Sequence, residues 1–151
     1  MNIPEPVVPA QIENPKVFLS YILYFDQMPR NIYRGSPKAW EKDFVALELS
    51  LKGLELQLDR ELNIIERFFF YLPLQHSEVL EYQMLSVEKI KELCRVCPRA
   101  WNKFFGFAED FAIRHEIAIR RFGRFPHRNQ ILGRVSHKEE LEFLNDPKNN
   151  F

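Results

Sequence analysis

The stretch RAWNKFFGFAEDFAIRHEIAIRRF, residues 99–122, decides the fold class because its apolar residues recur at the spacing of one helix face. Pro98 before it breaks a preceding helix, and Gly123 after it favours a helix end. The stretch therefore predicts a long helix with a ring-rich buried side. That apolar face comprises Trp101, Phe104, Phe105, Ala108, Phe111, Ala112, Ile119 and Phe122.

Similar periodicity elsewhere predicts an all-α fold of antiparallel helical hairpins with five to six helices and short links. One segment, LELSLKGLELQL at residues 47–58, alternates like a strand but lacks β-branched residues, so we expect a helix that breaks near Gly53. The expected helices are residues 16–28, 37–53, 59–71, 78–96, 99–122 and 137–145.

Their boundaries follow from a few start and stop residues. Pro29 and Pro73 are expected to end the first and third helices. Capping residues and an N1 proline start the others. These start signals are Ser36 with Pro37, Ser77, and the pair Ser136 and Glu139.

Length and composition predict one globular domain. Of the 151 residues, 46% are hydrophobic and 14 are Phe, so an aromatic core is expected. We expect a single helical domain at residues 16–145, a proline-rich arm at 1–15 and a frayed tail at 146–151. The N-terminus does not resemble a signal peptide and no apolar run can span a bilayer, which predicts a cytoplasmic protein without a membrane partner.

Charge is balanced overall but unevenly distributed. With 21 basic and 21 acidic residues, the chain is not expected to bind nucleic acid. Basic residues dominate positions 114–138, whereas positions 41–92 lean acidic. The two halves either neutralise each other or leave a positive pocket for an anion.

Three blocks carry a resemblance to a known family: FDQMPRNIYRG at 25–35, FFYLPLQHSE at 69–78 and FGRFPHRNQILGR at 122–134. Together they resemble the bacterial and plant family called domain of unknown function 924. The resemblance implies a tetratricopeptide-like helical fold. It also implies one or two N-terminal helices, in whose place this sequence has the proline-rich arm. The helical surface beneath is then bare, covered by the arm, or covered by a second chain in a homodimer.

The same blocks supply the candidate site. Histidines are the residues expected to act as acid or base, and arginines are expected to hold an anion. Among these, His115 lies on an apolar helix face, where a histidine is more often a satisfied core residue than a catalyst. The candidate catalytic residues are His76, His115 and His127, and the candidate ligand-binding residues are Asp26, Arg30, Asn31, Arg34, Glu78, Arg124, Arg128, Asn129 and Arg134.

Three functions remain open from the sequence. The first is a pocket for a small anionic ligand, a carboxylate or phosphate, with or without catalysis. The second is a tetratricopeptide-type module that grips a peptide carboxylate. The third is a buried ionic network that only interlocks helices, which predicts ion pairs with no cavity beside them.

No cofactor can be assigned, and no metal is predicted. His76, Glu78, His115, His127 and Asp26 offer suitable atoms, but no pair has a tight ligand spacing. Cys94 and Cys97 have redox spacing but end a helix rather than start one, so we expect two ordinary thiols.

Overall fold

The computed structural model describes residues 14–149 and 151, so nearly all of the expected arm at 1–15 lies outside the described residues. The described part consists of helices joined by turns and contains no strand, which confirms the all-α prediction. Its α-helices are α1 (Pro15–Ile32), α2 (Asp43–Glu55), α3 (Ile64–His76), α4 (Leu80–Val96), α5 (Asn102–Phe122) and α6 (Lys138–Leu144). Short 3-10 turns occupy Pro37–Ala39, Leu58–Glu61, Arg99–Trp101, Pro126–Arg128 and Pro147–Asn149.

Successive helices pair in antiparallel hairpins. Arg30 at the end of α1 contacts Asp43 at the start of α2. Cys94 near the end of α4 donates to the carbonyl of Phe105 near the start of α5. Because α1 and α3 then run in the same direction, their last turns lie side by side, and this positions the polar cluster described below.

The core is built largely from aromatic rings. Phe70 and Phe105 are fully buried, and Phe18 stacks on Phe70 with ring centroids 6.3 Å apart. Gly53 is buried inside α2 with the Phe70 ring directly against its Cα, so a side chain there would overlap the ring. The Ser50 hydroxyl donates to the Phe70 carbonyl at 2.7 Å, which joins α2 to α3.

The predicted proline stops are wrong. Pro29 lies inside α1 and Pro73 inside α3, and each helix continues three residues further. A proline so near a helix end removes only one interior hydrogen bond. The residues beyond the prolines, Arg30 and His76, are held by tertiary contacts, which explains why the last turns persist.

The second and third helices also differ from prediction. Ser36 and Pro37 start only a 3-10 turn, and α2 begins at Asp43 and continues through Gly53 without a break. The break falls at Gln57, which adopts the left-handed conformation with φ of 57°. The third helix starts at Ile64 and not at 59, because Asn63 forms a capping box with Glu66.

Two later boundaries shift by a few residues. Ser77 lies before the start of α4, and its hydroxyl accepts from the backbone N–H of Val79. The capping box of α6 is His137 with Glu140, one residue beyond the predicted pair. Gly123 ends α5 in the left-handed conformation with φ of 66°, as the sequence predicts.

The end of the chain packs against the helical body. Residues Pro147–Asn149 form a 3-10 turn, and the Lys148 carbonyl accepts a hydrogen bond from Arg114. The Phe151 ring lies 3.9 Å from the His115 ring, centroid to centroid. Within the described part of the chain, none of the helices has the length and apolar character needed to cross a bilayer.

Candidate functional site

The first two sequence blocks meet at a buried carboxylate–imidazole pair. Asp26, in the second half of α1, is 1% exposed, and one of its oxygens lies 2.6 Å from His76 Nδ1 at the end of α3. Burial alone raises the pKa of Asp26, but the His76 ring and the Arg30 guanidinium outweigh burial and lower it. The ionised carboxylate therefore accepts a hydrogen bond from the Nδ1–H of His76.

This pairing sets the chemistry of the imidazole. Burial lowers the pKa of His76, and the Arg30 charge lowers it further, so the neutral ring is favoured. With Nδ1 donating to Asp26, Nε2 of the neutral ring is left as a hydrogen-bond acceptor. No group among the described residues hydrogen-bonds Nε2. His76 thus has the form of a general base held by a carboxylate.

Arg30 joins this pair to α2. Its two terminal nitrogens each donate to one Asp43 oxygen at 2.8 Å, and the same guanidinium lies 3.1 Å from Asp26. A further bond of 2.7 Å goes to the Asp26 carbonyl. These contacts occupy the Arg30 guanidinium with acceptors of its own chain.

The third block contributes Arg128, which is buried at 7% exposure. Its guanidinium lies over the rings of Phe125, at 4.6 Å, and Trp40, at 5.4 Å. It donates to the His76 carbonyl at 3.0 Å and reaches Asp43 only at 3.5 Å. Burial lowers the pKa of Arg128 to about 10, and it stays a cation at neutral pH.

A second ion pair fixes the third block to the second. Arg134 donates to both Glu78 oxygens at 2.8 and 3.0 Å, and Glu78 also accepts from the Phe125 backbone N–H at 2.7 Å. Arg134 further donates to the Phe125 carbonyl at 3.0 Å. Both residues therefore shape the loop that presents Arg128.

Two clefts adjoin this cluster, and His76 forms part of both. The polar cleft, between the start of α2 and the loop after α5, has a volume of about 350 Å³. Its wall includes His76, Arg128, Asp43, Glu78, Trp40 and Leu132. The aromatic cleft, between α1, α3 and α5, has a volume of about 340 Å³. Its wall includes Phe68, Phe69, Leu72, Phe104, Phe107 and Phe111, with Gln27, Arg30, Gln75 and His76 as its polar members.

Residues 5–148 match the model of a family described as bacterial protein of unknown function, DUF924. The chain belongs to this family. A solved structure entitled Structure of Protein of Unknown Function ATU0120 from Agrobacterium tumefaciens superposes with a TM-score of 0.75 at 30% sequence identity. That match covers 89% of this chain and 70% of the other. No curated protein matches the chain.

In this DUF924 protein, part of the third block lies outside the two clefts. Arg124 forms a two-point pair with Glu140 at 2.7 and 2.8 Å, and Asn129 donates to Glu140 at 3.2 Å. Glu140 is 1% exposed, so these bonds anchor α6 to the loop. Their predicted role in ligand binding has no support from position, because neither Arg124 nor Asn129 lines the polar or the aromatic cleft.

The other two candidate histidines lie in a separate aromatic group. His115 is buried with Nδ1 2.9 Å from the Phe111 carbonyl, and its ring packs on Phe151. His127 lies near the Phe125 and Phe151 rings. Burial lowers the pKa of His115 well below its ordinary value and that of His127 to about 4. Neither histidine lines the two clefts beside His76.

The remaining candidates are peripheral. Asn31 and Arg34 are exposed, and the Asn31 amide donates to the Gln27 carbonyl. Among residues 14–149 and 151, no group of three or more His, Cys, Asp or Glu side chains is placed to hold a metal ion. Cys94 and Cys97 are free thiols, and burial raises the pKa of Cys94 to about 11, which disfavours the reactive thiolate.

Three cleft residues were not predicted from the sequence. Asp43 and Trp40 lie outside the three family blocks. The one sequence signal for Asp43 is indirect: the blocks contain more arginines than carboxylates, so a carboxylate from elsewhere in the chain is needed to pair with them. Gln75 lies within the second block, but a lone glutamine in an apolar helix carries no spacing signal. The feature that singles out Gln75 is its burial, at 2% exposure, and only the structure shows this.

Proposed function

We propose that the polar cleft binds a small anionic ligand, a carboxylate or a phosphate, and that His76 supplies acid–base chemistry to it. The observation that carries this proposal is the incomplete pairing of Arg128. Among the described residues its one carboxylate contact, at 3.5 Å, is with Asp43, whose two oxygens already receive 2.8 Å bonds from Arg30. A buried cation with so weak a partner favours a further anion.

The surroundings support the same proposal. The Arg128 guanidinium packs against the rings of Trp40 and Phe125. These contacts fix the direction of its N–H donors and leave its positive charge in place. His76 lies on the same wall, with Asp26 holding its Nδ1. A network that only interlocked helices would need no cavity, yet about 350 Å³ adjoin this one.

Binding of phosphate and succinate tests the proposal. Isothermal titration calorimetry at low ionic strength compares the natural chain with Arg128→Gln and with Arg34→Gln. Arg34 is the matched control because it is an exposed arginine outside both clefts. We expect at least one probe to bind the natural chain and Arg34→Gln alike, and Arg128→Gln to weaken it about tenfold or more.

A second variant separates loss of the site from loss of the fold. Leu132 lines the polar cleft and is 37% exposed, so Leu132→Glu adds a negative charge at the wall without removing a core side chain. We expect it to weaken anion binding while the melting temperature stays within a few degrees. Equal affinity in all four proteins, or no binding of either anion, would overturn the proposal.

Catalysis is tested once a bound substrate class is known. His76→Gln removes the acceptor at Nε2 and should reduce turnover about 100-fold or more while leaving the dissociation constant of the anion nearly unchanged. An unchanged turnover number would remove His76 from the chemistry and leave only the binding proposal.

A further inference from the structure

The aromatic cleft differs from the polar cleft in its lining, which has five phenylalanines and no carboxylate. Its volume of about 340 Å³ suits a small molecule, and rings form most of its wall. Two of those rings are unusually accessible, since Phe107 is 63% exposed and Phe104 is 39% exposed. Exposed rings that converge on a concave surface are typical of a site for an apolar group.

A buried amide without a partner lies at the polar end of this cleft. Gln75 is 2% exposed, and no group in the described part of the chain hydrogen-bonds its side chain. The Gln83 amide donates to the backbone carbonyl of Gln75 at 2.6 Å and not to its side chain. A ligand group that pairs with this amide is therefore favoured over an apolar one.

The charges around Gln75 favour an uncharged partner. Arg30 lines the cleft but donates to both Asp43 oxygens, and the Asp26 carboxylate lies behind His76. Because Arg30 is already paired with carboxylates of its own chain, an anionic head would find no free cation in this wall. The Gln75 side chain offers an N–H donor and a carbonyl acceptor. A carboxamide on a ligand offers the complementary acceptor and donor, so the two can form a pair of hydrogen bonds.

We infer that the aromatic cleft is a separate binding site for a small, uncharged amphiphile, an aryl or short alkyl group that carries a carboxamide-like head. The apolar group packs against Phe107 and Phe104, and the head forms paired hydrogen bonds with Gln75. This site uses different side chains from the anion site, apart from His76.

A matched pair of probes tests this inference. 3-Phenylpropanamide and 3-phenylpropanoate have nearly the same size and differ in the charge and donor capacity of the head. Calorimetric titration at pH 7.5 is expected to show the amide binding about tenfold more tightly than the carboxylate. Acetamide, which has the head without the ring, should bind too weakly to measure.

Substitutions assign the binding to this cleft. Gln75→Leu removes the unpaired amide, so we expect the fold to be at least as stable while the affinity for the amide falls about tenfold. Phe107→Ala should also weaken binding. Phe44→Ala is its matched control, because Phe44 is 60% exposed but lines the polar cleft instead.

Each alternative outcome overturns the inference. No binding of the amide up to its solubility limit means that Gln75 is only hydrated. Equal affinity in Gln75→Leu removes the proposed hydrogen bonds. A carboxylate that binds as well as the amide, and is lost in Arg128→Gln, places the probe in the polar cleft, leaving the anion proposal intact and this one overturned.

Discussion

Arg30 and Asp43 form a two-point ion pair in which each terminal guanidinium nitrogen donates to a different carboxylate oxygen at 2.8 Å. The two residues are 13 positions apart, at the end of α1 and the start of α2. Both side chains are 18% exposed, so the pair is largely removed from water. This contact closes the first hairpin and orders the cluster that includes Asp26.

Removing this guanidinium should strongly destabilise the fold. Arg30→Met leaves Asp43 and Asp26 without their main cation, and we expect a loss of about 3 kcal/mol in the free energy of unfolding by urea titration. Arg120→Met is the control, since Arg120 pairs with Glu116 at 2.6 Å while 53% exposed, and should cost less than about 1 kcal/mol. Equal losses would contradict a special role for the buried pair.

Stability should fall as the solution becomes mildly acidic. The lowered pKa values of His76, His115 and His127 mean that the unfolded chain binds protons that the native chain excludes. Stability is therefore full above about pH 6.5 and declines as the pH falls from there toward about 4, the pKa of His127.

The slope of this decline can be measured by urea titrations between pH 7.5 and 5. Each excluded proton contributes up to about 1.4 kcal/mol per pH unit, and His127→Gln should reduce the total slope. A stability that is flat or rises toward pH 5 would show that the buried rings accept protons in the native chain.

Two helical glycines should respond in opposite directions to alanine. Gly53→Ala gains about 1 kcal/mol of helix propensity but forces a methyl group into the Phe70 ring, so we expect a net loss of about 1–2 kcal/mol. Gly106 has open space around it in α5, and Gly106→Ala should stabilise the chain by about 0.5–1 kcal/mol. Thermal unfolding of both variants tests the difference; a stabilised Gly53→Ala would mean that Phe70 can move aside.

The anchor of α6 offers a fourth test. Glu140→Gln keeps the shape of the side chain but removes the charge that Arg124 meets at 2.7 Å, and should cost about 2 kcal/mol. Glu142→Gln, in the exposed pair with Lys138 at 3.7 Å, should cost less than about 0.5 kcal/mol. Hydrogen exchange of the α6 amides should rise only in the first variant; equal exchange would place the anchor elsewhere.

Helical periodicity and terminal glycine predicted the long fifth helix well, because both signals are local. The proline stops failed for a tertiary reason, since residues beyond Pro29 and Pro73 gain partners on other helices. The start of α3 was missed because the Asn63 and Glu66 capping box competes with a run of good helix formers that begins earlier.

The candidate site was predicted in part. The three blocks do come together. Asp26, Arg30, His76 and Arg128 lie close to one another because the ends of α1 and α3 are neighbours and the loop after α5 reaches them. The sequence does not predict the ion pair of Arg124 with Glu140. The two residues are 16 positions apart, and only the folded chain determines which carboxylate an arginine meets.

His76 forms part of the wall of two separate cavities, and this has a thermodynamic consequence. A ligand in one cavity that restricts the His76 ring changes the binding free energy of a ligand in the other cavity. By thermodynamic linkage the second ligand changes the binding free energy of the first by the same amount. We therefore expect the two proposed sites to influence each other. A single imidazole resonance of His76, followed by NMR, will report occupancy on either side and the sign of their mutual effect.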